Sequence, residues 1–256
     1  MAARDLALKN RPIHLVSTLV YYVHKMKLSI LYQDNELAVI DKEAGMPVLR
    51  EGPGTEETVA DFVVEEIPEA LAEEYRYGIV HRLDKDTSGV LLVAKTKEMY
   101  EYIQEQFQTR KVQKEYTTLV TGIVKENNMS INAPLGRAPS DRRKQKAFSP
   151  DDPAAQDKRE AITEYKVSQR FKDYTLLSVF PKTGRKHQLR AHLTYINHPI
   201  AGDKLYAFKN QPTPEGLERQ FLHATSLSVR LPNGTTKEFR SELPQDLKTV
   251  LESLQA

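Results

Sequence analysis

The stretch His81-Arg82-Leu83-Asp84-Lys85-Asp86-Thr87-Ser88-Gly89-Val90-Leu91-Leu92-Val93-Ala94 is polar up to Ser88 and apolar from Gly89 onward. Its second half, GVLLVA, is a continuous apolar run of strand length and reads as a buried strand. Beyond it, Met99, Tyr102, Ile103 and Phe107 mark an amphipathic helix. Upstream, Thr58 to Ile67 has helical spacing, with Val59, Phe62, Val63 and Ile67 on one side. Leu28 to Tyr32 and Leu37 to Asp41 read as short strands flanking the turn Gln33-Asp34-Asn35-Glu36. Downstream, Tyr116 to Val124 and Ile162 to Arg170 alternate as strands, and Tyr174 to Phe180 pairs back across Phe171-Lys172-Asp173. Ser226 to Leu231 and Thr235 to Arg240 flank Pro232-Asn233-Gly234, a strong hairpin signal. These hairpins argue for an α+β class: a mixed, mainly antiparallel sheet with a few helices. Strict βαβ alternation is missing, so a Rossmann-like fold does not fit.

Composition narrows the function classes. The 256 residues are 39% hydrophobic and 28% charged, which fits neither a disordered nor a fibrous chain. Lys+Arg number 37 against 35 Asp+Glu, a formal net charge of +2. That excludes a uniformly basic nucleic-acid wrapper and leaves room for a local patch. With no cysteine, disulfides, thiolate zinc sites, iron–sulfur ligation and thiol nucleophiles are all excluded. Such a chain suits a reducing compartment, and a cytoplasmic location is expected. No run reaches the roughly 20 apolar residues of a membrane span. Leu15 to Val23 follows Arg4, Lys9 and Arg11 and imitates a secretory signal, but it lacks a small-residue cleavage site. Residues 1–25 are therefore read as a poorly ordered extension, with Met26 as the natural start and 26–256 as the folded domain.

The small net charge hides an asymmetry. Glu51 to Glu74 holds nine acidic residues and no basic one, and reads as a solvated face. Arg137 to Lys146 holds five basic residues and one acidic, and Lys182 to Arg190 four basic and none acidic. Two basic clusters able to converge in space are what a phosphate-backbone groove requires. Asn132 to Arg159, with four prolines, reads as a long surface insertion within one domain.

Common cofactor signatures are absent: neither G-x-x-x-x-G-K-[ST], nor G-x-G-x-x-G, nor G-x-S-x-G occurs. His187 and His192 are five apart, which is not the spacing of paired helical zinc ligands. Three polar segments remain. In the first, an extended backbone would put Arg82, Asp84 and Asp86 on one face, where an arginine could hold a carboxylate ionised as nucleophile or base. The competing reading is that Asp84 or Asp86 merely caps a turn with Ser88 and Gly89. The second is Lys114-Glu115-Tyr116 at the head of a strand, where a tyrosine alone suggests only packing. The third, Thr183 to Leu193, looks like a strand-to-helix corner with Leu189, Leu193 and Ile196 toward the core. Its Arg185, Lys186 and His187 oppose the helix dipole, so an anion is expected beside them, either a phosphate or the Asp84 carboxylate.

HRLDKDTSG resembles the catalytic signature of the RluA-type family of RNA pseudouridine synthases. KEYTTLVTG from Lys114, PKTGRKHQLRAHL from Pro181, HPIAGDKLY from His198 and RQFLHATSL from Arg219 follow in the family's order. The resemblance runs from about Leu28 to Leu251. It implies isomerisation of uridine in RNA with base flipping and without cofactor or metal. By position it implies that Asp84 is the catalytic aspartate, Arg190 its salt-bridge partner, and Tyr116 the tyrosine packing on the base. Arg82 would enter the RNA stack, and Arg185, His187, Gln188 and the insertion's Arg142 and Arg143 would contact RNA. The implied partner is a structured ribosomal or transfer RNA stem-loop, with a monomer as the default state.

The chain departs from the family at Asp41-Lys42-Glu43-Ala44-Gly45, where relatives usually read Asn-Lys-Pro-x-Gly, and at Ala207, often glycine. The extra carboxylates weaken any claim that Lys42 touches RNA. Too few residues precede the domain for the family's ribosomal-protein-like RNA-binding domain, so substrate choice is expected to lie in the catalytic domain and its insertion. Two alternatives remain. One is a non-catalytic RNA-binding or assembly factor, which would need none of Asp84, Tyr116 and Arg190. The other is a hydrolase pairing Asp84 with Asp86, which leaves Arg190 and Tyr116 unexplained.

Overall fold

The computed structural model describes residues 29–50, 55–67 and 69–255. The expected extension 1–25, and the start at Met26, lie outside them. The chain runs through β1 (Ser29–Gln33), β2 (Leu37–Lys42), α1 (Val59–Glu66), β3 (Ser88–Ala94), α2 (Lys97–Gln108), β4 (Gln113–Thr121) and β5 (Asn128–Asn132). There follow β6 (Leu135–Ala138), β7 (Asp141–Ala147), β8 (Ile162–Arg170), β9 (Tyr174–Pro181), α3 (Gln188–Tyr195), β10 (Leu222–Arg230), β11 (Thr236–Arg240) and α4 (Gln245–Ser253). Nine strands form one sheet in the order β1-β2-β3-β10-β4-β9-β8-β5, with β11 also on β10. Every neighbouring pair is antiparallel except β3 and β10. This is the expected α+β class. Among the described residues no helix is long and apolar enough to cross a membrane.

The apolar run of β3 is explained by its two faces. Leu91 and Val93 join Phe62 and Val63 of α1 on one side, while Val90 and Leu92 join Met99 and Ile103 of α2 on the other. A strand covered by a helix on each face has no polar side to alternate with. Thr58 starts α1 with a reciprocal capping box to Asp61, and the Thr96 hydroxyl caps α2. Across β10 lies a separate core built on β4, β8 and β9, to which α3 adds Leu189 and Leu193 and α4 adds Leu247 and Val250.

The junction of the two halves is narrow. β3 touches β10 only at Ser88 opposite His223 and Gly89 opposite Ala224; from Ser226 on, β11 takes over that edge. Gly89 makes this approach possible: its φ is +115°, and a Cβ there would sit 2.2 Å from the Ala224 carbonyl oxygen. Beneath the junction, Ser88 Oγ meets His223 Nδ1 at 3.0 Å.

Two local expectations need correction. The 132–159 segment is not only a loop: β6 and β7 pair antiparallel, and Leu135, Ala147 and Phe148 are buried. Nor does the backbone stay extended through Arg82, Asp84 and Asp86. It turns at Asp84–Thr87, with the Thr87 amide donating to the Asp84 carbonyl at 3.1 Å, so period-two alternation ends at Asp84.

Candidate active site

Asp84 lies on the turn entering β3, at the seam between the two half-sheets. One of its oxygens, Oδ2, accepts from Arg190 Nη1 at 3.1 Å. Its other oxygen, Oδ1, accepts no hydrogen bond from any described residue, and the side chain keeps 20% exposure. Arg190, in the first turn of α3, is gripped from behind by Asp203: Nε donates to Oδ2 at 2.7 Å and Nη2 to Oδ1 at 2.9 Å. Asp203 is fully buried and also takes the amides of Leu205 and Tyr206, so it is itself fixed. The two carboxylates raise the Arg190 pKa, and the guanidinium stacks 4.9 Å from the Tyr206 ring centre. The anion expected at the start of α3 is therefore present in the protein.

His187 occupies the left-handed region at φ 53° and presents Nε2 4.0 Å from Asp84 Oδ2, beyond hydrogen-bond distance. Its Nδ1 meets the Tyr206 hydroxyl at 3.2 Å, and that hydroxyl accepts the Gln145 amide at 2.6 Å. The Tyr206 hydroxyl, which accepts from Gln145, holds the His187 ring at Nδ1 and leaves Nε2 facing Asp84. Burial lowers the His187 pKa, with Asp84 opposing.

Tyr116, on β4 opposite Ala224, packs against the cores of both half-sheets. Burial raises its phenol pKa, and the charge of Asp84 adds to the rise. It stays protonated at neutral pH, as a ring to pack against and a hydroxyl to donate.

The turn carrying Asp84 is braced from three directions. Lys42 is 2% exposed and donates to the carbonyls of Glu43, Lys85 and Thr87 at 2.7, 2.9 and 2.9 Å. Three donors meet three carbonyls, so Lys42 is a strut, and burial pulls its pKa down to about 7. Arg219 donates to the Asp86 carbonyl at 3.1 Å, and Gln220 to the Thr87 hydroxyl at 2.8 Å. His81 accepts the Leu92 amide at Nε2 while stacking on Phe107. Burial takes its pKa down to about 3, so it is a neutral spacer at the head of β3.

Two cavities of about 500 and 460 Å³ flank Asp84, and both are lined by Arg82, Leu83, Asp84, Lys186, His187 and Arg190. The first reaches Asp86, Asp203 and Glu218; the second reaches Tyr116, Lys114 and Arg185. Arg82 is exposed at their meeting point. Arg185 lines the second cavity while its Nε donates to the Glu160 carbonyl at 3.1 Å. Gln188, expected among the RNA contacts, is buried instead. Its carbonyl accepts from Thr183 Oγ1 and the Arg185 amide, and its amide donates to the Ile162 carbonyl and Thr163 Oγ1. Every bond it can form is made inside the protein, so it fixes the strand-to-helix corner. β7 packs on α3, which brings the two basic clusters together. Arg142 is exposed there, whereas Arg143 is clamped by Asp141 through Nη2–Oδ2 at 2.8 Å.

Sequence reasoning missed Asp203, although the segment HPIAGDKLY holds it; its partner lies 13 residues away. It also gave Lys42 no role, since the carbonyls it binds at Lys85 and Thr87 are more than 40 residues along the chain.

Comparison with known proteins places these residues in context. A family model described as RNA pseudouridylate synthase matches residues 36–195. An uncharacterized RNA pseudouridine synthase of Aquifex aeolicus is 37% identical over 234 residues, covering 87% of this chain and 72% of the relative. The ribosomal large subunit pseudouridine synthase D of Pasteurella multocida is 33% identical over 242 residues, covering 90% and 72%. Among solved structures, human RNA pseudouridylate synthase domain containing 4 superposes with a TM-score of 0.69 at 26% identity, covering 89% of this chain and 93% of that one.

Proposed function

Because the chain belongs to the RNA pseudouridylate synthase family, and so is an isomerase acting on RNA, we propose that it converts specific uridines in structured ribosomal or transfer RNA through Asp84. The name of the Pasteurella relative points first to large-subunit ribosomal RNA. The observation that carries the reading is the carboxylate with one oxygen held by Arg190 and the other accepting no hydrogen bond from any described residue, between two cavities. A carboxylate tied at one oxygen is oriented and still has a lone pair to give.

In this reading the target nucleotide leaves its stack, at a cost of a few kcal/mol, and enters beside Asp84. The bond from C1′ to N1 breaks and a bond from C1′ to C5 forms; C5 gives up its proton and N1 gains one. Asp84 acts on the nucleotide while Arg190 holds its Oδ2. Tyr116 packs on the base as a neutral phenol. Arg82 fills the vacated stack, and Arg185, His187, Arg142 and Arg143 lie along the RNA path. Gln188 acts by holding the corner on which Arg185 and His187 stand. Residues 26–256 are the catalytic unit in this account.

The test is site-resolved pseudouridine mapping, by carbodiimide labelling and reverse-transcription stops, on unmodified ribosomal and transfer RNA incubated with purified protein. New stops with the wild type and none with Asp84→Asn are expected. A fully active Asp84→Asn protein would sink the proposal. RNA binding with no conversion of any uridine by the wild type would favour the non-catalytic binder.

A further inference from the structure

We infer that Lys114, together with the Thr183–Gly184 backbone beside it, forms a subsite for one phosphate of the RNA chain next to the reacting uridine; the inference rests on the isomerase reading above. Lys114 and Tyr116 are two apart on β4, so their side chains leave the same face, roughly 7 Å from one another. Both line the cavity on the Tyr116 side of Asp84.

The ammonium of Lys114 is poorly satisfied. It carries three donors, and its single hydrogen bond among the described residues is a long one, 3.4 Å to the Thr183 carbonyl. No carboxylate among the described residues pairs with it. Its basic neighbours are differently placed. Arg110 is paired with Glu160, Lys182 with Glu164, and Arg185 bonds the Glu160 carbonyl. Burial lowers the Lys114 pKa to about 8. A half-buried cation without a counter-ion is costly to keep, and an arriving anion would remove that cost.

Gly184 supplies an independent observation. Its φ lies outside the left-handed region, so the backbone does not require glycine. Space inside the protein does not require it either, because the nearest atom a Cβ would meet is Lys114 Nζ at 3.9 Å, an ordinary contact. What glycine provides is bare, exposed backbone beside the ammonium, which allows a chain phosphate to approach closely.

The experiment measures binding of fluorescently labelled, unmodified large-subunit rRNA transcript to the full chain across roughly 50 to 200 mM salt, alongside uridine conversion on the same RNA. Lys114→Gln is expected to make the log–log salt slope shallower by about 0.7 to 0.9, the signature of one lost phosphate contact. It should raise KM and leave kcat at saturation within about two-fold, the split expected when uniform binding is lost. Lys114→Arg should restore the slope. Wild-type affinity should decline as pH rises through about 8, and that decline should vanish in Lys114→Gln. Gly184→Val, whose Cβ would meet nothing closer than Lys114 Nζ at 3.9 Å, should weaken binding. A wild-type slope in Lys114→Gln, or reduced kcat with unchanged affinity, overturns the subsite. Should Lys114→Gln fail to fold, unchanged affinity in Gly184→Val overturns it as well. A wild type that binds this RNA and converts nothing defeats the isomerase reading while the slope still judges the subsite.

Discussion

The two cavities flanking Asp84 are nearly equal in size and unlike in charge. The one beneath Asp203 is lined by five carboxylates, Glu56, Asp84, Asp86, Asp203 and Glu218, and seven basic side chains. The one beside Tyr116 is also lined by seven basic side chains, but by a single carboxylate, Asp84 itself. Volume therefore does not sort them. A polyanion meets five carboxylates in the first and one in the second, so the second attracts it more strongly. In the first cavity Asp203 holds Arg190 and Arg219 braces the Asp84 turn; in the second Lys114 has no carboxylate partner among the described residues. Asp84 lines both.

The largest blow to that division is Asp84→Asn. It should lower turnover by about 10³-fold or more while leaving RNA affinity within about two-fold, measured as single-turnover conversion against equilibrium binding. Loss of binding instead would mean that the aspartate holds RNA rather than reacting with it. Next comes Asp203→Asn, on the acidic side. Breaking a buried ion pair should cost about 3–5 kcal/mol in denaturant unfolding. It should reduce kcat more than affinity, because a released Arg190 can engage both oxygens of Asp84.

Lys42→Met sharpens the same point. Three carbonyls lose their donor, and about 1–3 kcal/mol of stability should go with them. The pH signature has a definite sign. Lys42 titrates near 7 in the folded chain and near its ordinary 10.5 when unfolded, so between those values the unfolded chain binds the extra proton. Its contribution to stability therefore rises with pH above 7, and Lys42→Met should remove that rise between pH values of about 7 and 9. The smallest effect belongs to the hairpin rim. Arg142→Ala should weaken RNA binding a few-fold and flatten the salt slope by about 0.7 to 0.9. Arg143→Ala should do less, since Asp141 already neutralises that side chain.

Much of this was legible beforehand where one element carries its own signal. The β3 run, the hairpin at Pro232-Asn233-Gly234 and the amphipathic face of α2 depend on neighbours in the chain, and each lies where its pattern indicates. β7 was not legible because Asp-Arg-Arg-Lys-Gln-Lys-Ala has no alternation of apolar residues; pairing with β6 and burial at its far end make it a strand. β10 was only half legible, since nothing in its composition says that it changes partner from β3 to β11. Within the site, Asp84, Tyr116 and Arg190 could be named from motifs. Asp203, Lys42 and Lys114 could not, because a buried charge is understood only through partners that the fold brings to it. Gln188 shows the converse: a polar residue inside a basic motif reads as a ligand contact until its four bonds are seen to be internal.

The slender β3–β10 junction also bears on how the molecule is born. Asp84, Tyr116 and Arg190 are all synthesised before Arg219, Gln220 and His223, which secure Asp86, Thr87 and Ser88 across separations of 133 to 135 residues. Contacts that distant close late, after local hairpins and helices have formed. A nascent chain stopped before Arg219 would thus carry Asp84, Tyr116 and Arg190 and still lack this brace. The Asp84 turn gains these contacts only once Arg219, Gln220 and His223 have been made.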